Sequence, residues 1–280
     1  QLCVVVSAMG KTTNALEELT NAFFYKTGNP SLILEGIKKF HFDICDQLFL
    51  STTHSIYQDL ENTFVELYWS IEDEPTHSYD FEYDQIISIG EILSTKIVSA
   101  YLNSVNVSNS WIDARGLIQT DNTYRDAVVD FDLTETLLHK SLIPLFNHAN
   151  IIVTQGSIGG TSENFTTTLG REGSDNTASI IAYCLNSASV TIWKDVPGAV
   201  WRRQCAPGDH RRGNPGLRCA GGGATAGQEK PDHPFAVRWR KSPDGDCAGV
   251  CDFPAQSGTV LLAGRGGRAA GRRQHRALRQ

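Results

Sequence analysis

Residues 151–185 open with Ile151-Ile152-Val153-Thr154-Gln155-Gly156. A loop rich in Gly, Thr, Ser and Asn leads to Thr166-Thr167-Thr168-Leu169-Gly170-Arg171-Glu172-Gly173-Ser174-Asp175. The stretch closes on Thr177-Ala178-Ser179-Ile180-Ile181-Ala182-Tyr183-Cys184-Leu185. The opening run is β-branched and apolar and predicts a strand, and the closing run predicts a helix. A strand feeding a helix through such a loop is the repeating unit of a parallel sheet with helical cover. In open sheets of this kind ligands bind beyond the carboxyl ends of the strands. The loop suits an anion, because free backbone N–H groups and the helix dipole favour negative charge at a helix start. Glycine lets the backbone approach closely. Arg171 offers a planar fork matched to a carboxylate or phosphate. Glycine-rich loops before helices also occur as plain turns, and the spacing is neither that of a Walker A loop nor Gly-x-Gly-x-x-Gly.

The same alternation extends outward. Leu2–Val6 predicts a strand that runs into the small, polar loop Ser7–Asn14. Asn14 is placed to cap a helix with Leu16, Leu19 and Phe23 on its apolar stripe, ended by Gly28. A second helix is expected over 31–50, with Ile33, Ile37, Phe40, Ile44 and Leu48 inward. Glu72-Asp73-Glu74-Pro75 reads as a solvated acidic loop. A long helix is expected from about Asp84 to Asn103, with Ile86, Gly90, Leu93, Ile97 and Tyr101 on one side. Val105–Ile112 reads as a strand, and Asp132 as the cap of a helix running toward Phe146 that Pro144 kinks or ends. Val190–Trp193 reads as a strand entering Lys194-Asp195. Together these predict a mostly parallel sheet covered on both faces.

The 280 residues carry a net charge of −6, but unevenly. Residues 1–198 hold 10 of the 25 Lys and Arg and 25 of the 31 Asp and Glu, a net of −15, whereas 199–280 carry +9. No apolar run is long enough for a transmembrane helix. The N-terminal residues lack the pattern of a signal peptide. Cys3, Cys45 and Cys184 read as buried thiols in a reducing cytoplasm. His41, His54, His77, His139 and His148 have no ligand-like spacing and read as surface or helix-face residues, so no metal site is assigned.

Six segments carry a resemblance. They are VVVSAMGKTTN (4–14), SIGEILST (88–95), WIDARGLIQTD (111–121), VTQGSIG (153–159), TTTLGREGSDNTASIIA (166–182) and VTIWKDVPG (190–198). In order and spacing, residues 1–198 resemble the aspartate kinases of the amino-acid kinase family. The resemblance implies a three-layer αβα sandwich and a cytoplasmic enzyme that uses ATP and Mg²⁺. The implied reaction phosphorylates the β-carboxylate of L-aspartate, giving 4-phospho-L-aspartate for lysine, threonine and methionine synthesis. It also implies roles for residues. Arg171 and Glu91 would hold the substrate's α-carboxylate and α-ammonium. Ser7, Thr13 and Ser174 would add hydrogen bonds to aspartate or phosphate. Asp175 would be the catalytic aspartate, and Gly173, Lys194 and Asp195 would meet the nucleotide. Lys194 and Glu172 stand where many relatives carry Thr and Gly. Intact relatives are expected to be homo-oligomers, and neither a membrane nor a nucleic acid is an expected partner.

The resemblance also sets expectations for the ends. The family's Lys-Phe-Gly-Gly-Thr-Ser segment does not precede Gln1, and its Asp-Pro and His-Pro-Lys segments do not follow Gly198. The fold is therefore expected to be incomplete at both ends. The chain as written should run below about 1% of an intact enzyme's rate, because losing one charge-stabilising donor costs about 10²–10³. Residues 199–280 read as out-of-frame translation or a disordered tail. The alternative is a non-catalytic aspartate-binding module whose Arg/Gly-rich end holds nucleic acid. A zinc site at Cys205, Cys219, Cys247, Cys251 and His210 has poor spacing.

Overall fold

The computed structural model describes residues 1–170 and 172–193, and the strand backbone of 248–252 and 259–263. In chain order the elements are β1 (Leu2–Val6), α1 (Thr12–Phe24), α2 (Pro30–Leu48), α3 (Ser55–Glu72), α4 (Tyr79–Ser104) and β2 (Ser110–Trp111). They continue with α5 (Phe131–Leu145), β3 (Ile151–Gln155), β4 (Ile158–Gly160), β5 (Thr166–Thr168), α6 (Gly173–Cys184) and β6 (Ser189–Trp193). The last two are β7 (Ala248–Asp252) and β8 (Thr259–Ala263). Among the described residues, one sheet runs β2-β3-β1-β8-β6-β7, and β4 and β5 form a separate hairpin. All neighbours in the large sheet are parallel except β6 and β7. Strands β7 and β8 come from the segment without family resemblance. The zinc alternative and the Arg/Gly-rich end lie otherwise outside the described residues.

The period of two along the strands sorts the sheet into three layers. Cys3, Val5, Ile152, Val190 and Ile192 point to one face, where they pack on α5 and α6 through Leu138, Leu142, Ala178 and Ile181. Val4, Val6 and Val153 point to the other, against Val98 and Leu102 of α4. Beyond α4 lie α1, α2 and α3, with Leu16, Leu34, Leu60 and Phe64 in their shared core. Burial pushes the Cys3 thiol up to about 12, as expected of an inert core cysteine.

Helix α4 is the centre of the molecule. Every residue from Ile86 to Thr95 is buried, so it has no solvated stripe. Two of its hydroxyls are satisfied by carbonyls of the helix itself. The Ser88 hydroxyl donates to the Gln85 carbonyl, and the Thr95 hydroxyl to the Glu91 carbonyl. It begins at Tyr79, capped by Ser78, five residues before the expected start, because the first turn is a capped acidic turn rather than loop.

Other boundaries move for local reasons. Asn14 does not cap α1, which starts at Thr12 with no side-chain cap. Three helices end in the same left-handed turn, at Lys26, Asn106 and Asn186. In each, the next N–H reaches back five residues, to Ala22, Leu102 and Ala182. That turn stops α1 before Gly28. It also consumes Val105 and Val107, leaving only Ser110–Trp111 as strand. In α2 the inward face is Leu34, Ile37, His41 and Cys45, and Phe40 is 40% exposed. His41 is fully buried rather than at the surface, its Nδ1 bonded to the Ile37 carbonyl at 2.8 Å. Helix α5 is capped by Asp130, not Asp132, and Pro144 sits in its last turn.

Candidate active site

The register levels the carboxyl ends of β1, β3 and β6, with Val6 opposite Gln155 and, across Ala263, Trp193. The loops that leave β1 and β3 therefore start on one edge of the sheet, where β6 also ends. The Ser94 hydroxyl of α4 donates to the Ser7 carbonyl at 2.7 Å, and the Ser7 hydroxyl donates to Ser174 Oγ at 2.6 Å. One short chain of bonds thus ties α4, the loop after β1 and the first turn of α6 together.

Two glycines make that closeness possible. A Cβ on Gly90 would stand 3.0 Å from Leu16 Cδ1 and 3.2 Å from both Ala8 Cβ and Thr12 Cγ2, so its absence lets α1 close on α4 beside Glu91. A Cβ on Gly156 would lie 2.8 Å from Ser174 Cα and collide with the Ser174 side chain, so the turn after β3 can press on α6. Gly173 meets Ser157 in the same way. Its missing side chain is thus used in packing as well as at the cavity surface.

A cavity of about 520 Å³ lies where these parts meet. Ser7, Thr13, Glu91, Gly173, Ser174 and Asp175 all line it, so six of the nine residues singled out in the sequence come together. The other three, Arg171, Lys194 and Asp195, lie outside the described residues. Thr13 is in the first turn of α1 and Ser174 in the first turn of α6. Two helix N-termini thus open onto one space, an arrangement that favours anions. Asp175 is not the cap of α6. The cap is Glu172, and Asp175 stands three residues in, 2% exposed. Glu91 is 4% exposed in the buried core of α4.

Glu172 also lines the cavity, with its side chain exposed and its backbone left-handed at φ +56°. Glycine adopts that conformation at little cost and glutamate does not.

Sequence reasoning missed one wall. Tyr83, Arg125 and Thr168 line the cavity too. Behind them lies Asp84, fully buried. It accepts from the Thr168 hydroxyl at 2.6 Å and from the N–H groups of Thr168 and Arg125, each at 2.8 Å. Burial outweighs those bonds and raises its carboxyl from 3.8 to about 6. The available signal was an aspartate placed among the apolar residues of a helix; its partners are 41 and 84 residues away in sequence and carry no local pattern.

Among the described residues no three His, Cys, Asp or Glu side chains gather as a metal cage. No described helix is long and apolar enough to cross a membrane.

The sequence model of the amino acid kinase family matches residues 1–200. The chain belongs to the amino acid kinase family. Within that family it is 31% identical over 195 residues to lysine-sensitive aspartokinase 3 of Escherichia coli K12, a match covering 70% of this chain and 42% of that protein. It is 30% identical over 195 residues to the aspartokinase of Chlamydia trachomatis serovar D, again covering 70% and 42%. The crystal structure of E. coli aspartokinase III in complex with aspartate and ADP superposes with a TM-score of 0.63 at 29% identity. That match covers 71% of this chain and 44% of the other. The chain thus spans less than half the length of these family members. Its three layers and mostly parallel sheet are those of the amino-acid kinase fold.

Proposed function

We propose that the cavity binds L-aspartate and Mg-ATP as the active site of an aspartate kinase. The carrying observation is that Ser7, Thr13, Glu91, Ser174 and Asp175, far apart in sequence, line one cavity at the N-termini of α1 and α6. The catalytic domain in this reading is residues 1–198, and the family match ends at residue 200.

The chemistry asks little of a base. The β-carboxylate of aspartate is ionised at neutral pH, so one of its oxygens attacks the γ-phosphorus directly. The new O–P bond forms as the bond to ADP breaks, giving 4-phospho-L-aspartate. Catalysis then rests on alignment and charge stabilisation. Glu91 supplies the negative group for the substrate's ammonium. The hydroxyls of Ser7 and Ser174, already bonded to each other, are placed to exchange that bond for contacts to carboxylate or phosphate oxygens. The N–H groups at the start of α6 face the same charge. Asp175, buried in the first turn of α6, orients the reacting groups. The donor set suits a Mg²⁺ ion carried in on the triphosphate, with one or two carboxylates completing its shell. Bound there, the ion would neutralise charge on the transferring group.

Isothermal titration of the chain with L-aspartate and with Mg-ADP tests this reading. Saturable binding of both, with Glu91→Gln weakening L-aspartate about tenfold or more and Mg-ADP little, is the expected result. Absence of L-aspartate binding overturns it. Competition by L-glutamate at equal strength would move the substrate to a sister kinase.

A further inference from the structure

We propose that Arg125 is a further substrate-binding residue, a cationic anchor for a carboxylate of the amino-acid substrate. This rests on the cavity being an aspartate site.

Arg125 lines the cavity together with Tyr83, Glu91, Glu172 and Asp175. Among the described lining residues it is the one cation, in the company of three acids. Aspartate brings two carboxylates and one ammonium. Glu91 matches the ammonium, but the lining acids repel the carboxylates unless a base meets one of them. Arg125 is the described residue with the chemistry to do so.

Its position is prepared from both ends. The backbone is left-handed at φ +70°, and its N–H is held by the buried Asp84 carboxylate at 2.8 Å. The same carboxylate holds Thr168, so two lining residues share one anchor. The guanidinium lies 4.3 Å from the Tyr83 ring centroid and 5.7 Å from that of Tyr79. Stacking on aromatic rings restricts the long side chain and presents a planar fork, the geometry that takes a carboxylate through two parallel bonds. The competing partner is weak. Asp80 meets Nη1 at 3.4 Å, and both side chains are about half exposed. Asp80 engages one nitrogen of the guanidinium, whereas a substrate carboxylate can take two parallel bonds from it.

The test titrates the full chain and three variants, Arg125→Gln, Arg125→Lys and Asp80→Asn, with L-aspartate and separately with Mg-ADP. Arg125→Gln should weaken L-aspartate about tenfold or more while Mg-ADP stays within about twofold, and Arg125→Lys should recover part of the loss. Asp80→Asn should leave L-aspartate as tight or tighter, because it frees the guanidinium. Unchanged L-aspartate affinity in Arg125→Gln overturns the assignment. So does an equal loss for both ligands with a lowered thermal midpoint, or a loss in Asp80→Asn as large as in Arg125→Gln; either marks a structural role. If the unsubstituted chain itself binds no L-aspartate, the aspartate-site reading fails and the Arg125 assignment falls with it.

Discussion

The two walls of the cavity are built by opposite means. The α4 wall is a helix buried on every side, and it carries charge into the interior on Asp84 and Glu91. The α6 wall is loop backbone, left-handed at Ser157, Gly170 and Glu172 and closed by glycines that leave no room for a Cβ. One wall depends on which side chains are present, the other on which are missing. The difference predicts different failures. The first should respond to lost volume and to pH, the second to added atoms and relieved strain.

The largest effect should come from volume behind the α4 wall. Leu93 is fully buried in the middle of that helix. Leu93→Ala should cost about 3–4 kcal/mol in urea unfolding, as a cavity opens that the packed layers cannot fill. A loss below about 1 kcal/mol would show that α4 is less rigidly held than described.

Gly156→Ala probes the other wall. The new methyl meets both the side chain and the Cα of Ser174, so α6 must shift. About 3 kcal/mol is expected, at the upper end for overpacking. Weaker L-aspartate binding should accompany it, since Ser174 lines the cavity.

The pH response belongs to the α4 wall. Burial raises the Asp84 carboxyl from 3.8 to about 6, so the folded protein holds that proton more tightly than the unfolded chain. The resulting stability is fully present below pH ~3.8 and is lost as pH rises through ~6. Between about pH 4 and pH 7 the natural chain should lose roughly 2–3 kcal/mol more than Asp84→Asn, measured by denaturant unfolding at each pH. Parallel curves would show that the carboxyl is not held as described.

The smallest effect should have the opposite sign. Glu172→Gly removes a left-handed glutamate and a negative charge beside the cavity. It should stabilise the fold by about 0.5–1 kcal/mol and tighten L-aspartate binding a few-fold. A destabilised variant would mean that the Glu172 side chain holds the α6 turn in place.

The two walls were not equally legible in the sequence. The α6 wall is a continuous stretch, so its helix start stood out as an anion site from the loop itself, and Ser174 and Asp175 were found through the family segment there. Its hairpin, Ile158–Gly160 against Thr166–Thr168, did not, because glycine and threonine runs read as loop until strand pairing selects them. In the α4 wall Glu91 was found through its family segment. Asp84 was read only as a helix start, since its partners Thr168 and Arg125 are assembled by the fold. Arg125 stayed invisible for the same reason. The inward stripe of α2 was misjudged because burial there falls on His41 and Cys45, which hydrophobicity ranks below Phe40. His41 is tolerated inside because its ring is bonded to the Ile37 carbonyl, and burial lowers its pKa so that it stays neutral.

The most direct measurement is a crystal structure of the chain grown with L-aspartate. The account predicts the amino acid in the cavity between α4 and α6, its ammonium on Glu91 and a carboxylate within hydrogen-bond reach of Arg125. An empty cavity at saturating L-aspartate, or the amino acid bound elsewhere, would contradict the central claim that these two walls form an aspartate site.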